Sequence, residues 1–241
     1  MTIKNVRLSS ALLAVAIFCA AQPASAATVY WTDWTSATVG TLNGSAAGTI
    51  TTPGGPITVT YSGEVASQTV TNNSYPSWQP ASTYADGVTI DNAPNFGDII
   101  AQNGGPNTGV NKIVFSQAIT NPVMSIWSLG QGGINTNYTF PVGTNFSILV
   151  GGPSNEYGGG ALVYNGGANS VTGTEGNGSL QFLGTFSEIT FTNTVFEGWY
   201  GFTLGVQGIA PPPTGGVPEP LTLSLFGAGL AGAVAMRRRR K

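Results

Sequence analysis

The chain has 241 residues, of which 41% are hydrophobic and only 7% charged, with no histidine and a single cysteine. The apolar share is enough for a core, so wholesale disorder is excluded, and the lone Cys19 leaves no disulfide to staple the rest. Residues 27–216 carry nine acids and one base, Lys112, a net −8 that repels phosphate backbones, so no nucleic-acid partner is expected.

In chain order, Met1 to Arg7 is a short basic region and Leu8 to Ala21 an apolar run. Ala24-Ser25-Ala26 then supplies the small-x-small pattern that signal peptidase reads, which predicts a signal helix over residues 1–26 and a cut between Ala26 and Ala27. The residues before Cys19 are Ala16-Ile17-Phe18, and the bulky Phe18 argues against lipidation of that thiol.

Residues 27–210 read as one all-β domain. Short β-rich runs alternate with Gly, Asn and Pro clusters, and no 3.6-residue period is sustained. The predicted strands are Thr28 to Thr35, Ile57 to Tyr61, Val65 to Val70, Val88 to Ile90, Lys112 to Ala118, Val123 to Leu129, Phe146 to Val150, Ala161 to Tyr164, Ser179 to Leu183, Glu188 to Asn193 and Trp199 to Val206. Apolar and polar residues alternate in several of them, as in Ile57-Thr58-Val59-Thr60-Tyr61, which is the pattern of half-buried antiparallel strands. The expected architecture is an antiparallel β-sandwich, jelly-roll-like. Gly48 to Pro56 reads as a long loop, and the Asn121-Pro122 turn pairs Ile113 to Ile119 with Val123 to Leu129.

A Pro/Gly linker, residues 211–216, leads to Val217-Pro218-Glu219-Pro220, a sixteen-residue apolar segment from Leu221 to Met236, and the cations Arg237, Arg238, Arg239, Arg240 and Lys241. The two prolines fix φ and withhold backbone donors, keeping the motif extended and outside the following helix. As a transmembrane helix the apolar segment spans ~24 Å, somewhat short of a ~30 Å hydrocarbon core, and snorkelling arginine stems close the gap. Five cations belong on the cytoplasmic side, which leaves the β-domain outside.

Over residues 217–241 this ordered trio closely resembles the PEP-CTERM sorting signal of Gram-negative bacteria. The resemblance implies that a membrane-embedded exosortase recognises Pro218-Glu219-Pro220, cuts near it and passes the protein to the cell surface or extracellular matrix. It also implies a producer that makes exopolysaccharide. The phrases TNPVMSIWSLG and EGWYGFTLGV are similar to segments of other PEP-CTERM proteins, which bring no activity with them.

Chemistry is sparse in between. Without histidine or a retained cysteine there is no Ser-His-Asp triad, no thiol nucleophile and no ordinary zinc site, and no phosphate-cradling glycine motif is present, so no cofactor is expected. Carboxylates remain. Glu156, Glu175, Glu188 and Glu197 are the candidates for a glycosidase pair, with Glu188 and Glu197 near strand ends. Asp86, Asp91 and Asp98 lie in the oxygen-rich stretch DGVTIDNAPNFGD, a candidate calcium loop whose spacing matches no EF-hand. Tyr75 and Trp78, in NNSYPSWQP, are candidate sugar-stacking rings in a loop, while Trp31, Trp34, Trp127 and Trp199 sit in strand patterns and read as core.

The expected function is that of a non-enzymatic surface or matrix protein, exported across the inner membrane, anchored transiently by its C-terminal helix, and then released for cohesion, adhesion or contact with exopolysaccharide. The alternatives are a carbohydrate-active hydrolase using a carboxylate pair and a permanently tail-anchored membrane protein.

Overall fold

The computed structural model describes residues 26–74 and 78–207, and these are all-β, with no α-helix among them. The expected signal helix and transmembrane helix lie outside the described residues, as do Ala24, Tyr75, the sorting motif and the basic tail. Among the described residues no helix is long and apolar enough to cross a membrane.

Fourteen strands form: β1 (Val29–Thr38), β2 (Gly40–Thr52), β3 (Gly55–Val65), β4 (Ile100–Gln102), β5 (Asn111–Thr120), β6 (Val123–Leu129), β7 (Thr136–Thr139), β8 (Phe146–Gly151), β9 (Gly160–Ala161), β10 (Val163–Asn165), β11 (Ser170–Gly173), β12 (Gly176–Phe182), β13 (Thr185–Phe191) and β14 (Tyr200–Gln207). Eleven belong to one curled sheet whose main path runs β13-β5-β3-β2-β1-β14-β6-β12-β8, with β4 added to β14 and β9 to β12. All of its pairs are antiparallel except the short β9–β12 pair. A separate small sheet, β10-β11-β7, packs against it through Tyr138 and Val171.

The curl happens inside β1. Val29 to Trp31 pair with β14, whereas Thr32 onward pair with β2, and the Thr32 hydroxyl donates to the Leu204 carbonyl at 2.8 Å across the change of partner. One strand therefore serves both halves, and the halves face each other over a shared core. Trp34, Ile57, Val59, Ile113 and Phe115 come from one side, and Met124, Ile126, Leu180, Phe202 and Leu204 from the other. Ring pairs bridge the gap: Tyr61 meets Phe202 edge-on at 5.4 Å between centroids, and Phe191 meets Phe202 at 5.7 Å. Such contacts each add about 0.5–1.5 kcal/mol beyond area burial.

Residues 66–74 and 78–99, which connect β3 to β4, pack against β14 and β6 through side chains such as Trp78, Tyr84, Ile90 and Ile99. Gly201 and Gly205 are required there, because a Cβ on either would collide with Ile99 or Trp31. Behind them, Trp78, Tyr84, Ile99 and Trp127 make a second cluster, and Val29, Trp31, Ile90 and Val123 a third.

Several sequence expectations change. Gly48 to Pro56 is no loop but the body of a β2–β3 hairpin, paired residue by residue from Ala46–Tyr61 to Thr52–Gly55. Val65 to Val70 and Val88 to Ile90 are not strands: β3 ends at Val65, and only single bridges tie Val70 to Ile99 and Ile90 to Ala27. The turn at Asn121-Pro122 exists, but the strands on its two sides do not pair. β5 lies between β3 and β13, while β6 lies between β14 and β12, so the chain crosses there from one half to the other.

Candidate functional site

At the C-terminal end of β6 the strand carries an extra residue. Leu129 pairs with Gly176 and Ile126 with Gly178, so Trp127 and Ser128 together oppose Asn177. This is a β-bulge, a device that re-aims side chains and recurs beside binding sites. Ser128 sits at φ 56° and Glu175, on the facing turn, also at φ 56°, a left-handed conformation uncommon for such residues. Asn177 holds both. Its Oδ1 accepts from the Ser128 N–H at 2.8 Å, and its Nδ2 donates to the Glu175 carbonyl at 2.9 Å and the Gly158 carbonyl at 3.1 Å. Gly159 is equally constrained, since at φ 77° a Cβ would run into the Glu175 backbone.

The bulge gathers an aromatic platform. Trp127 is fully buried, and Trp199 lies 4.5 Å from it between ring centroids at a 42° tilt, with Tyr157 at 5.2 Å and 49°. Tyr157 is 55% exposed and Trp199 partly buried. Three carboxyls accompany the rings. Glu156 accepts from the Trp127 indole N–H at 3.2 Å, and Glu175 accepts from the Ser128 hydroxyl. Glu197 is 2% exposed, and burial pushes its carboxyl up to about 8, with the negative charge of Glu175 adding to the rise against donors from Thr136, Gly130 and Trp199. The Thr136 hydroxyl lies against it, yet neither Glu197 Oε2 nor Thr136 Oγ1 completes a hydrogen bond of good geometry. Burial accordingly favours the protonated form of Glu197.

Of the four glutamates singled out in the sequence, the fold thus brings Glu156, Glu175 and Glu197 into one region. Glu188 stands apart on β13, in an exposed ion pair with Lys112 at 2.6 Å. Trp127 and Trp199 read as core from sequence because they fall in strand patterns, and Trp127 is indeed a fully buried core ring with Trp199 packed, partly buried, against it; what no local pattern announces is the bulge that brings Tyr157 and the acids beside them.

The other candidates disperse. Trp78 is 3% exposed, packs edge-on to Tyr84 at 5.2 Å and donates its indole N–H to the Asp98 carbonyl at 3.2 Å. Its expected role as a sugar-stacking ring therefore gives way to that of a core ring in the cluster that contains Trp127. The three aspartates do not converge. Asp86 Oδ1 accepts from the backbone N–H groups of Val88, Thr89 and Ile90, and those donors outweigh desolvation to lower its pKa. Asp91 takes the Thr28 hydroxyl at 2.9 Å. Asp98 is buried, which raises its pKa against the N–H donors of Asn73 and Trp34. Among the described residues no group of three or more acids is placed to hold a metal ion.

A cavity of about 360 Å³ opens elsewhere, over Glu64, with Thr41, Asn103, Pro106 and Phe196 in its wall. Its carboxylate is already occupied. Glu64 Oε1 accepts from the Asn103 and Gly104 N–H groups at 3.0 and 3.1 Å, and Oε2 from Gly104 at 3.0 Å and the Asn193 amide at 2.6 Å. Asn193 continues through Asn111 to Tyr61 and Gln102, and Gln102 accepts from Tyr138. This is a satisfied internal network that locks the Asn103–Thr108 loop to the core.

Among known proteins, no curated protein and no solved structure matches the chain. One family does: residues 216–240 match the PEP-CTERM protein-sorting motif. The match spans Val217-Pro218-Glu219-Pro220, the apolar segment and the arginine cluster in their required order. The chain therefore carries a PEP-CTERM protein-sorting motif at residues 216–240.

Proposed function

We propose that the chain is a secreted surface or matrix protein, exported by its N-terminal signal peptide and cut by an exosortase at Pro218-Glu219-Pro220. The matched tail is the observation that carries this reading. An extended proline motif presented outside the membrane, a short apolar segment and an inner cationic stop form a substrate for an intramembrane enzyme, and Glu219 acts as a recognition residue. The mature part, residues 27–210, is a jelly-roll-like β-sandwich with a structural, adhesive or glycan-contacting role. The shared core and the buried hydrogen-bond network around Glu64 and Asn111 support that role.

The test is replacement of Pro218, Glu219 and Pro220 by alanine in the producing host. The expected result is a membrane-held species whose intact mass still includes residues 221–241, where the parent protein has lost them. Unchanged maturation and destination would overturn the assignment.

A further inference from the structure

The cluster at the β6 bulge lies outside the matched sorting motif, and its chemistry is specific. A pyranose ring offers an apolar face of C–H groups and a rim of hydroxyls. Aromatic faces complement the first, and carboxylates, which accept only, complement the second. Tyr157 and Trp199 present such rings, tilted on the same buried indole of Trp127. Glu156 and Glu175 are held beside them by donors from the protein, the Trp127 indole N–H and the Ser128 hydroxyl, so their orientations are set before any ligand arrives. Two non-glycine residues in the left-handed region, Ser128 and Glu175, maintain the arrangement at a cost in backbone strain. A buried carboxyl oxygen without a hydrogen-bond partner, Glu197 Oε2, lies two residues from Trp199.

We propose that Tyr157, Trp199, Glu156 and Glu175 form a subsite for one pyranose unit of a neutral or amino-sugar polysaccharide, with Trp127 as its fixed floor. Acidic polysaccharides are disfavoured, because the two carboxylates and the net −8 of residues 27–216 repel uronates. Encounter with a polysaccharide rests on the surface location proposed above; the subsite itself rests on the bulge and the rings.

The test titrates the chain purified from its host with cellohexaose, a glucosamine hexasaccharide and a guluronate hexasaccharide, read by tryptophan fluorescence and calorimetry. Binding of cellohexaose or the glucosamine hexamer with a tryptophan emission shift is expected. Tyr157→Ala should weaken it about tenfold and Tyr157→Phe should restore it, because the ring and not the hydroxyl makes the contact. Tyr157 is 55% exposed, so the alanine variant should keep the parent's thermal midpoint, which excludes unfolding as the cause. No binding of either hexamer at millimolar concentration, a preference for guluronate, or equal binding by Tyr157→Ala would each overturn the subsite. Intact mass of the same preparations reports sorting independently: a blank titration on a correctly processed protein removes only the subsite, and an unprocessed protein that binds removes only the sorting reading.

Discussion

Two buried glutamates show how differently one residue type can be accommodated. Glu64 is surrounded by donors, three hydrogen bonds from backbone N–H groups and one from Asn193, whereas Glu197 leaves Oε2 without a partner. Burial then favours the protonated form of Glu197, whose pKa rises from 4.5 to about 8. The folded protein keeps a proton that the unfolded chain releases near 4.5, so this residue's stabilising contribution is complete below about 4.5 and is lost as pH rises through about 8. Asp98, also raised by desolvation, acts in the same direction, and the effect of Glu197 is therefore isolated by comparison with a variant. Glu197→Gln keeps the neutral shape and removes the ionisation. Thermal midpoints measured from pH 5 to 9 should fall less steeply for Glu197→Gln than for the parent, with the variant the more stable at pH 9. Parallel curves would show that Glu197 is ionised throughout.

Among elements, the crossings between the two halves of the sheet decide the topology. β5 passes to β6 at Asn121, and β12 passes back to β13 at Gly184; the two turns are bonded to each other. The Asn121 N–H donates to the Gly184 carbonyl and the Gly184 N–H to Asn121 Oδ1, both at 2.8 Å. Asn121 is held at φ 52°, which asparagine tolerates and alanine does not. Asn121→Ala should cost about 2 kcal/mol, from left-handed strain plus one lost hydrogen bond, and Asn121→Gly about half of that, since glycine restores only the dihedral. Urea midpoints of the two variants against the parent check the order. These crossings also explain what sequence could reveal. Strands with large alternating residues, such as Ile57 to Tyr61, are legible because one face must be buried. β2, with GTLNGSAAGTITT, is not, because its inward positions include Gly44, Ala46 and Gly48, small residues that fit against neighbouring backbone and against Thr32 and Trp34 and give no hydrophobic period. The false hairpin of β5 with β6 arose from nearness along the chain, and pairing is fixed instead by β6 being buried on both faces, which places it in the middle of the opposite half.

At the scale of the whole molecule, recognition and stability are kept in separate places. The sorting signal is contiguous, so every part of it was readable from residues 217–241. The cluster at the bulge joins Trp127 of β6 to Tyr157, Glu175 and Trp199, which lie in turns and loops far apart along the chain, so its acids are visible in the sequence as candidates but their company is not. Charge follows the same division. Residues 27–216 hold one base, Lys112, already paired with Glu188, whereas five consecutive cations close the tail. On the proposed sorting route, the sixteen apolar residues would span only ~24 Å if helical, too short to fix their own depth in a ~30 Å core. On that route the cations would supply the fixity, each contributing about 1 kcal/mol of attraction to an anionic inner leaflet and resisting translocation. Replacing Arg237, Arg238, Arg239, Arg240 and Lys241 with serine should therefore leave Pro218-Glu219-Pro220 intact but unpositioned. Intact-mass analysis of the medium should then find a full-length species carrying residues 221–241, and the cut form should diminish. Normal cleavage with the serine tail would mean that the proline motif alone positions the substrate, and the basic cluster would lose its part in processing.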